Sequence, residues 1–322
     1  MSPEIPPALA SLKHFLSIAD TPAEALGALI DLAIRRKEQF RRGELAPVLA
    51  GKTLAMVFQK SSLRTRLSFE VAMNQLGGHA INLDDHQVGL AKREDARDVA
   101  RVIASMCDGI CARVFGHQLL VELSMFSAVP VINALSDWAH PCQAVADLMT
   151  LQEHFGRLAG LKLAYVGDAN NVARSLLHAC AKLGVHTAFA APAGYQLAEG
   201  LVQAAWPAAQ RSGATVKLTA SPEEAVADAD AVYTDVWTSM GQETESASRA
   251  KAFAGYQINA ELLAKARHTA VVMHCLPAHR NLEITDEVVD GPQSVIFQQA
   301  ENRLHSTRAL LEALLGQGRE GR

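Results

Sequence analysis

The sequence predicts an α/β protein of two doubly wound parallel-sheet domains with a closing C-terminal helix. Short β-branched apolar runs alternate with longer helical stretches from about residue 50 onward, the pattern of βα units with parallel strands. A length of 322 residues, at roughly 150 per domain, suggests two domains. A hydrophobic content of 49% is enough to give each its own core.

Strands are expected at 53–58, 79–83, 109–114, 129–133, 162–166, 187–191, 215–218, 231–234 and 269–273, with helices between them. Thr21-Pro22-Ala23-Glu24 and Ser221-Pro222-Glu223-Glu224 each read as a helix start, with a capping hydroxyl, proline at N1 and glutamate at N3. A helix at 142–154 is long enough to connect two separate sheets, so the domain boundary is expected at its start, near Ser136. The amphipathic segment 301–315, with Leu304, Leu310, Leu311, Leu314 and Leu315, reads as the closing helix.

Composition excludes several function classes. Thirty basic against thirty-four acidic residues leave a net charge of -4, so there is no global positive field to hold nucleic acid. Five cysteines without framework spacing suit a reducing compartment, and cytoplasm is expected. The start of the chain, with Pro3, Pro6 and Pro7, lacks the order of a signal or transit peptide. Nowhere do 18 consecutive apolar residues occur, so no membrane span is expected.

Five segments carry chemistry, four of them at strand ends and one at the start of the connecting helix. Ser62-Leu63-Arg64-Thr65-Arg66 opens a helix after the first strand, and cations there oppose the helix dipole, which calls for a bound anion; an exposed basic first turn is the bland alternative. His140-Pro141-Cys142-Gln143 opens the connecting helix and could hydrogen-bond a carbonyl oxygen, although a histidine after Trp138 also suits a packed core. Gly167-Asp168-Ala169-Asn170-Asn171 stands where a dinucleotide fingerprint would, but Ala169 replaces its second glycine, so nicotinamide binding is disfavoured and a small polar ligand near Asn171 is favoured. Asp235-Val236-Trp237-Thr238-Ser239-Met240-Gly241 offers a carboxylate and N–H donors suited to the two ends of an α-amino acid, or else an ordinary turn with Asp235 as a helix cap.

His274-Cys275-Leu276-Pro277 ends the last strand, where the cysteine could be a nucleophile, a metal ligand or a polarising contact. Metal binding is disfavoured because adjacent strand residues point to opposite sides. Cys107 and Cys111, four apart on one helix face, and Cys180 read as core thiols.

Together these motifs, with Glu301-Asn302-Arg303, resemble in order and over nearly the whole chain the ornithine branch of the aspartate/ornithine carbamoyltransferase family. The resemblance implies transfer of a carbamoyl group from carbamoyl phosphate to the δ-amine of L-ornithine, giving L-citrulline and phosphate in arginine biosynthesis. It implies a carbamoyl-phosphate-binding domain of residues 1–135, joined by the helix 301–322, and an ornithine-binding domain of residues 136–300. Ser62, Leu63 through its backbone N–H, Arg64 and Thr65 would hold the phosphate, with Gln87 reaching in from a loop. Leu63 stands where threonine is commoner in the family.

By the same likeness Arg64, Arg113, His140, Gln143 and Arg303 would polarise the carbonyl and bear the charge of the tetrahedral state, with Pro141, Cys142, Cys275 and Leu276 also at the carbamoyl phosphate site. Asp235 would pair with the α-ammonium of ornithine, while Asn171, Ser239 and Met240 would take its α-carboxylate. Cys275 would stand beside the δ-amine and favour its neutral form, and Leu276-Pro277 is a candidate cis peptide. No cofactor and no metal are implied. Partners are the two small-molecule substrates and further copies of the chain in a homotrimer or a multiple of trimers.

Other acceptors, namely aspartate, putrescine or an N-acylated ornithine, are argued against by the acid and donor set at 235–241. A nicotinamide-dependent dehydrogenase is argued against by the missing glycine fingerprint. A non-catalytic binding protein on this fold would be expected to lack some of Arg64, His140, Asp235 or Cys275, and all are present.

Overall fold

Two parallel sheets organise the chain. The computed structural model describes residues 5–84, 88–90, 93–239 and 241–316. Its first sheet holds β1 (Thr53–Phe58), β2 (His79–Asp84), β3 (Gly109–Arg113) and β4 (Val131–Leu135), in the order β2-β1-β3-β4. Its second holds β5 (Lys162–Val166), β6 (His186–Ala190), β7 (Val216–Thr219), β8 (Ala231–Thr234) and β9 (Val271–His274), in the order β7-β6-β5-β8-β9. Every named pairing is parallel.

Among the described residues the helices of seven residues or more are α1 (Ala23–Arg41), α2 (Leu63–Gln75), α3 (Ala96–Met106), α4 (His117–Phe126), α5 (Pro141–Phe155), α6 (Asn171–Leu183), α7 (Glu199–Ser212), α8 (Ser246–Ala252) and α9 (Ile296–Leu315). The chain divides into two units, one running to Met149 and resumed from Asn302, the other spanning Thr150–Glu301. The passage at Met149 lies inside α5, not at its start near Ser136. The first turns of this helix are buried with the first sheet's loops, so a chain break in packing comes only after them.

Burial follows sheet position. Central strands β3 and β8 are buried at every residue, as a parallel sheet covered on both faces requires, while edge strands β2 and β7 mix partly buried and exposed positions. In the first unit Val57, Ile103, Ile110, Leu120 and Val131 share one core; in the second, Val166, Val232, Phe253, Ile284 and Ile296 share another.

Four local expectations are corrected. β4 begins at Val131 because Pro130 has no N–H to give the ladder; its carbonyl instead accepts from Ile110. Thr21 does not cap α1: its hydroxyl donates to the Ser17 carbonyl at 2.8 Å and Pro22 stands at the cap, whereas Ser221 does cap, accepting the Glu224 N–H at 3.2 Å. Cys107 ends α3 and Cys111 lies in β3, so they share no helix face, although both are buried. The closing helix starts at Ile296, ahead of the expected Glu301.

In the first unit α1 and α9 are joined by buried charge. Arg36 grips Glu312 through two bonds, Nε to Oε2 at 2.7 Å and Nη2 to Oε1 at 2.6 Å, with side chains only 5% and 2% exposed. Next to it Lys37 donates to Asn302 Oδ1 at 2.7 Å. Arg308 lies over the Phe40 ring and donates to Gln75, and burial pushes its guanidinium down to about 10. Among the described residues no helix is long and apolar enough to cross a membrane.

Removing one member of a buried pair strands the other charge. Glu312→Ala is therefore expected to lower the unfolding free energy by about 3–5 kcal/mol in urea titrations. Glu70→Ala, which breaks the exposed pair with Arg66, is expected to change it by less than about 1 kcal/mol.

Candidate functional site

In open α/β sheets ligands bind beyond the carboxyl ends of strands where strand order reverses. The first sheet reverses between β1 and β3, the second between β5 and β8. Those of the sequence-predicted residues that are described gather at these two points, one half-site in each unit.

In the first half-site Ser62 caps α2, accepting the Thr65 N–H at 3.3 Å, so the start of this helix lies beyond β1, the kind of place where a helix turns N–H groups toward an anion. Leu63 has its side chain exposed, so only its backbone can serve. Arg66 turns to Glu70 at 2.8 Å and carries its own counter-charge, which leaves Arg64 as the cation of this turn directed inward.

Thr65 Oγ1 receives two guanidinium groups, Arg113 Nη1 at 3.5 Å and Arg303 Nη2 at 3.4 Å. Arg303 also donates through Nη1 to Gln143 Oε1 at 2.5 Å, and Gln143 Nε2 donates to Asp147 Oδ1 at 2.8 Å. Arg303 is 2% exposed, its hydrogen bonds go to neutral oxygens, and its Nε is buried without a partner. Positive charge held this way favours an arriving anion.

His140 and Pro141 open α5. Burial, reinforced by the positive charge of Arg303, Arg113 and Arg64, holds the His140 imidazole well below its ordinary value of 6.5, so the ring is neutral. Cys142 donates to the Asn133 carbonyl at 3.4 Å, and burial pushes its thiol up to about 12. It is a packed thiol, not a reagent. Gln87 lies outside the described residues.

In the second half-site Gly167, at φ +153°, makes a turn that L side chains rarely adopt. Asn170 caps α6 by accepting from Val172 and Ala173 at 2.9 and 3.1 Å, and through Nδ2 donates to Asp235 Oδ2 at 2.6 Å. Asp235 Oδ1 accepts the Val236 N–H at 2.8 Å and the Cys275 thiol at 2.9 Å. Asp235 thus orients side chains and does not cap a helix. Asn171 stands beside Asn170 as the first residue of α6.

Ser239 gives its N–H to Gln242 Oε1 at 3.1 Å, and the next described residue, Gly241, gives its own to the Glu243 carboxylate at 2.9 Å. Met240 lies outside the described residues. Arg249 anchors this segment from α8, donating to Asp168 and to the Trp237 carbonyl, both at 3.0 Å. Burial raises the Asp168 carboxyl, against the pull of Arg249.

The expectation that His274 and Cys275 point apart is overturned. Strand geometry ends at His274, and ligand atoms of Asp235, His274 and Cys275 lie within 4.8 Å of one another. Both imidazole nitrogens are nevertheless engaged: Nδ1 accepts the Leu276 N–H at 2.8 Å, so Nε2 carries the proton and meets Glu283 Oε1 at 3.1 Å. The Leu276–Pro277 bond is cis.

Sequence reasoning missed Asp147, Asn170 and Glu283. Asp147 follows Gln143 at the i,i+4 spacing of a helix pair, and Asn170 is a good N-cap type, so both carried a local signal. Glu283 carried none.

Neutral His140 gives a testable pH dependence. Between its folded value and the ordinary 6.5 the unfolded chain binds the extra proton, so stability is full above that window and falls as pH drops through it. His140→Asn is expected to lose less unfolding free energy than the parent between about pH 7 and about pH 5 in urea titrations; an identical loss contradicts the assignment.

Comparison with known proteins matches both units. Residues 13–153 match the family model described as "Aspartate/ornithine carbamoyltransferase, carbamoyl-P binding domain", and residues 159–314 match its "Asp/Orn binding domain". The ornithine carbamoyltransferase of Anoxybacillus flavithermus is 50% identical over 94% of this chain and 96% of its own. The solved ornithine carbamoyltransferase of Pyrococcus furiosus is 46% identical with a TM-score of 0.93, over 95% of this chain and 98% of its own. The solved anabolic ornithine carbamoyltransferase of Campylobacter jejuni is 38% identical with a TM-score of 0.87, over 93% and 98%.

Proposed function

The chain belongs to the aspartate/ornithine carbamoyltransferase family, and on that premise we propose that it transfers the carbamoyl group of carbamoyl phosphate to the δ-amine of L-ornithine, giving L-citrulline and phosphate. The observation that carries the reading is the meeting of Arg113, Arg303, Thr65 and Gln143 beyond β1 and β3. It is an anion site with hydrogen-bonding groups beside it, as a phosphate joined to a carbamoyl group requires.

In this reading the first-turn N–H groups at Ser62 and Leu63, with Arg64, Thr65 and Arg113, hold the phosphate. Neutral His140 donates to the carbonyl oxygen, and Arg303 and Arg113 stabilise the negative charge that oxygen gains in the tetrahedral state. The amine nitrogen bonds to the carbonyl carbon, the bond from that carbon to the phosphate oxygen breaks, and the proton lost by nitrogen leaves with the phosphate. Gln87, Pro141, Cys142, Cys275 and Leu276 complete the expected carbamoyl phosphate contacts.

Asp235 pairs with the α-ammonium of ornithine, while Asn171, Ser239 and Met240 take its α-carboxylate. A free amine of this kind titrates near 10.4, so the site must favour its neutral form. Cys275, as a thiol donating to Asp235, adds no charge beside it. No step calls for a redox group, a metal or an acylated cysteine.

The anabolic relative supports a place in arginine biosynthesis. We also propose a cytoplasmic homotrimer or multiple of trimers, to be checked by sedimentation: a mass of three chains, or a multiple of three, is expected, and a monomer would contradict it.

The decisive assay measures citrulline from carbamoyl phosphate with ornithine, aspartate, putrescine and N-acetylornithine as parallel acceptors. Turnover is expected with ornithine alone. Asp235→Asn is expected to reduce kcat/KM for ornithine at least about a hundredfold, because a buried charge pair is lost. Activity with another acceptor only would keep the anion site and overturn the ornithine assignment.

A further inference from the structure

Asn170 uses both ends of its amide. Oδ1 accepts the N–H groups of Val172 and Ala173 at 2.9 and 3.1 Å and the Tyr165 hydroxyl at 3.4 Å. Nδ2 donates to Asp235 Oδ2 at 2.6 Å, and a carboxylate only accepts, so the amide is held in one sense from both sides. One side chain thereby joins the start of α6, where Asn171 stands, to the carboxylate that follows β8. Asp235 is 6% exposed, and its Oδ1 is occupied by the Val236 N–H at 2.8 Å and the Cys275 thiol at 2.9 Å. A carboxylate offers about four acceptor positions, so these three donors among the described residues leave one, on Oδ2.

We infer that Asn170 is a specificity-determining positioning residue: it holds Asp235 at a fixed offset from the start of α6, so that the second half-site accepts an α-amino acid of one hand. The inference rests on the ornithine reading above, in which Asn170 itself touches no substrate. An L-α-amino acid with its carboxylate at Asn171 presents its ammonium to the open position on Asp235 Oδ2. Its mirror image, held by the same carboxylate and with its chain in the same direction, puts hydrogen there and leaves the buried Asp235 unpaired. Such discrimination needs a carboxylate that cannot follow a misplaced ammonium. Val236 and Cys275 both grip Oδ1, and among the described residues Asn170 is the one donor on Oδ2. Asn170→Ser keeps an oxygen suited to capping α6 but has no second arm to reach Asp235. Asn170→Asp keeps both the cap and the size, and sets an acceptor against an acceptor.

The test is calorimetric titration of the full chain, saturated with carbamoyl phosphate, with L- and D-2-aminopentanoate and with pentanoate. The first two are ornithine of either hand without the δ-amine, so no carbamoyl transfer follows binding, and the third lacks the ammonium as well. The parent is expected to bind the L form at least about thirtyfold more tightly than the D form, the smallest effect usual for breaking a buried hydrogen-bonded charge pair. In Asn170→Ser and Asn170→Asp that preference is expected to shrink at least about tenfold, while pentanoate, which makes no contact with Asp235, binds within about twofold of the parent. General loosening of the half-site would weaken pentanoate too. An unchanged preference for the L form, or equal weakening of all three ligands, would overturn the inference. So would a failure of both variants to fold, because each keeps the cap of α6 and a residue that only positions Asp235 is not needed for folding. A parent that makes no citrulline and binds no L-2-aminopentanoate overturns the functional reading and this inference together, whereas a parent that makes citrulline without preferring the L form overturns this inference alone.

Discussion

Burying the Arg303 guanidinium against neutral oxygens is the constraint around which the first unit is built. A buried charge normally demands an opposite charge beside it. Here Gln143 and Thr65 satisfy its donors in part, and the rest of its attraction is left for a ligand. Such an arrangement costs stability, and the compensation lies farther along the same helix, where Glu312 pairs with Arg36, and at the neighbouring residue, where Asn302 receives Lys37. α1 therefore ties down α9, the helix that carries Arg303 to the end of β1 and β3.

The second unit solves a related problem with the opposite charge. Asp235 is buried, and three donors, from Asn170, Val236 and Cys275, fix its carboxylate without neutralising it. The thiol is held in turn by a chain of polar contacts, from Glu283 through His274 to the Leu276 backbone, that shapes the segment after β9. The first unit thus holds Arg303 against neutral oxygens, and the second holds Asp235 against neutral donors, at the reversal point of its own sheet, charges matched in sign to the phosphate and the α-ammonium of the proposed substrates.

Much of this was legible in the sequence because it is local. The nine strands among the described residues, and the residue types at their ends, follow from apolar runs and the polar motifs after them, and a parallel sheet places those ends together. What escaped is what depends on distant packing. Arg66 reads like Arg64 until the helix shows it facing Glu70, and the strand rule for His274 and Cys275 fails because the strand stops between them. Glu283 is invisible to spacing arguments, since its role comes from a return of the chain onto β9. Asp147 and Asn170 were readable as a helix pair and a helix cap, but not as partners of Gln143 and Asp235, which only the folded contacts reveal.

The claim that the first unit holds an anion by itself, through an unneutralised buried arginine, is met most directly by titrating carbamoyl phosphate alone into the parent, Arg303→Met and Asp235→Asn. Methionine replaces the buried stem without its charge, so the variant is expected to fold. The account predicts one site per chain in the parent and in Asp235→Asn, weakened at least about a hundredfold in Arg303→Met. Binding by Arg303→Met as tight as the parent's would contradict it.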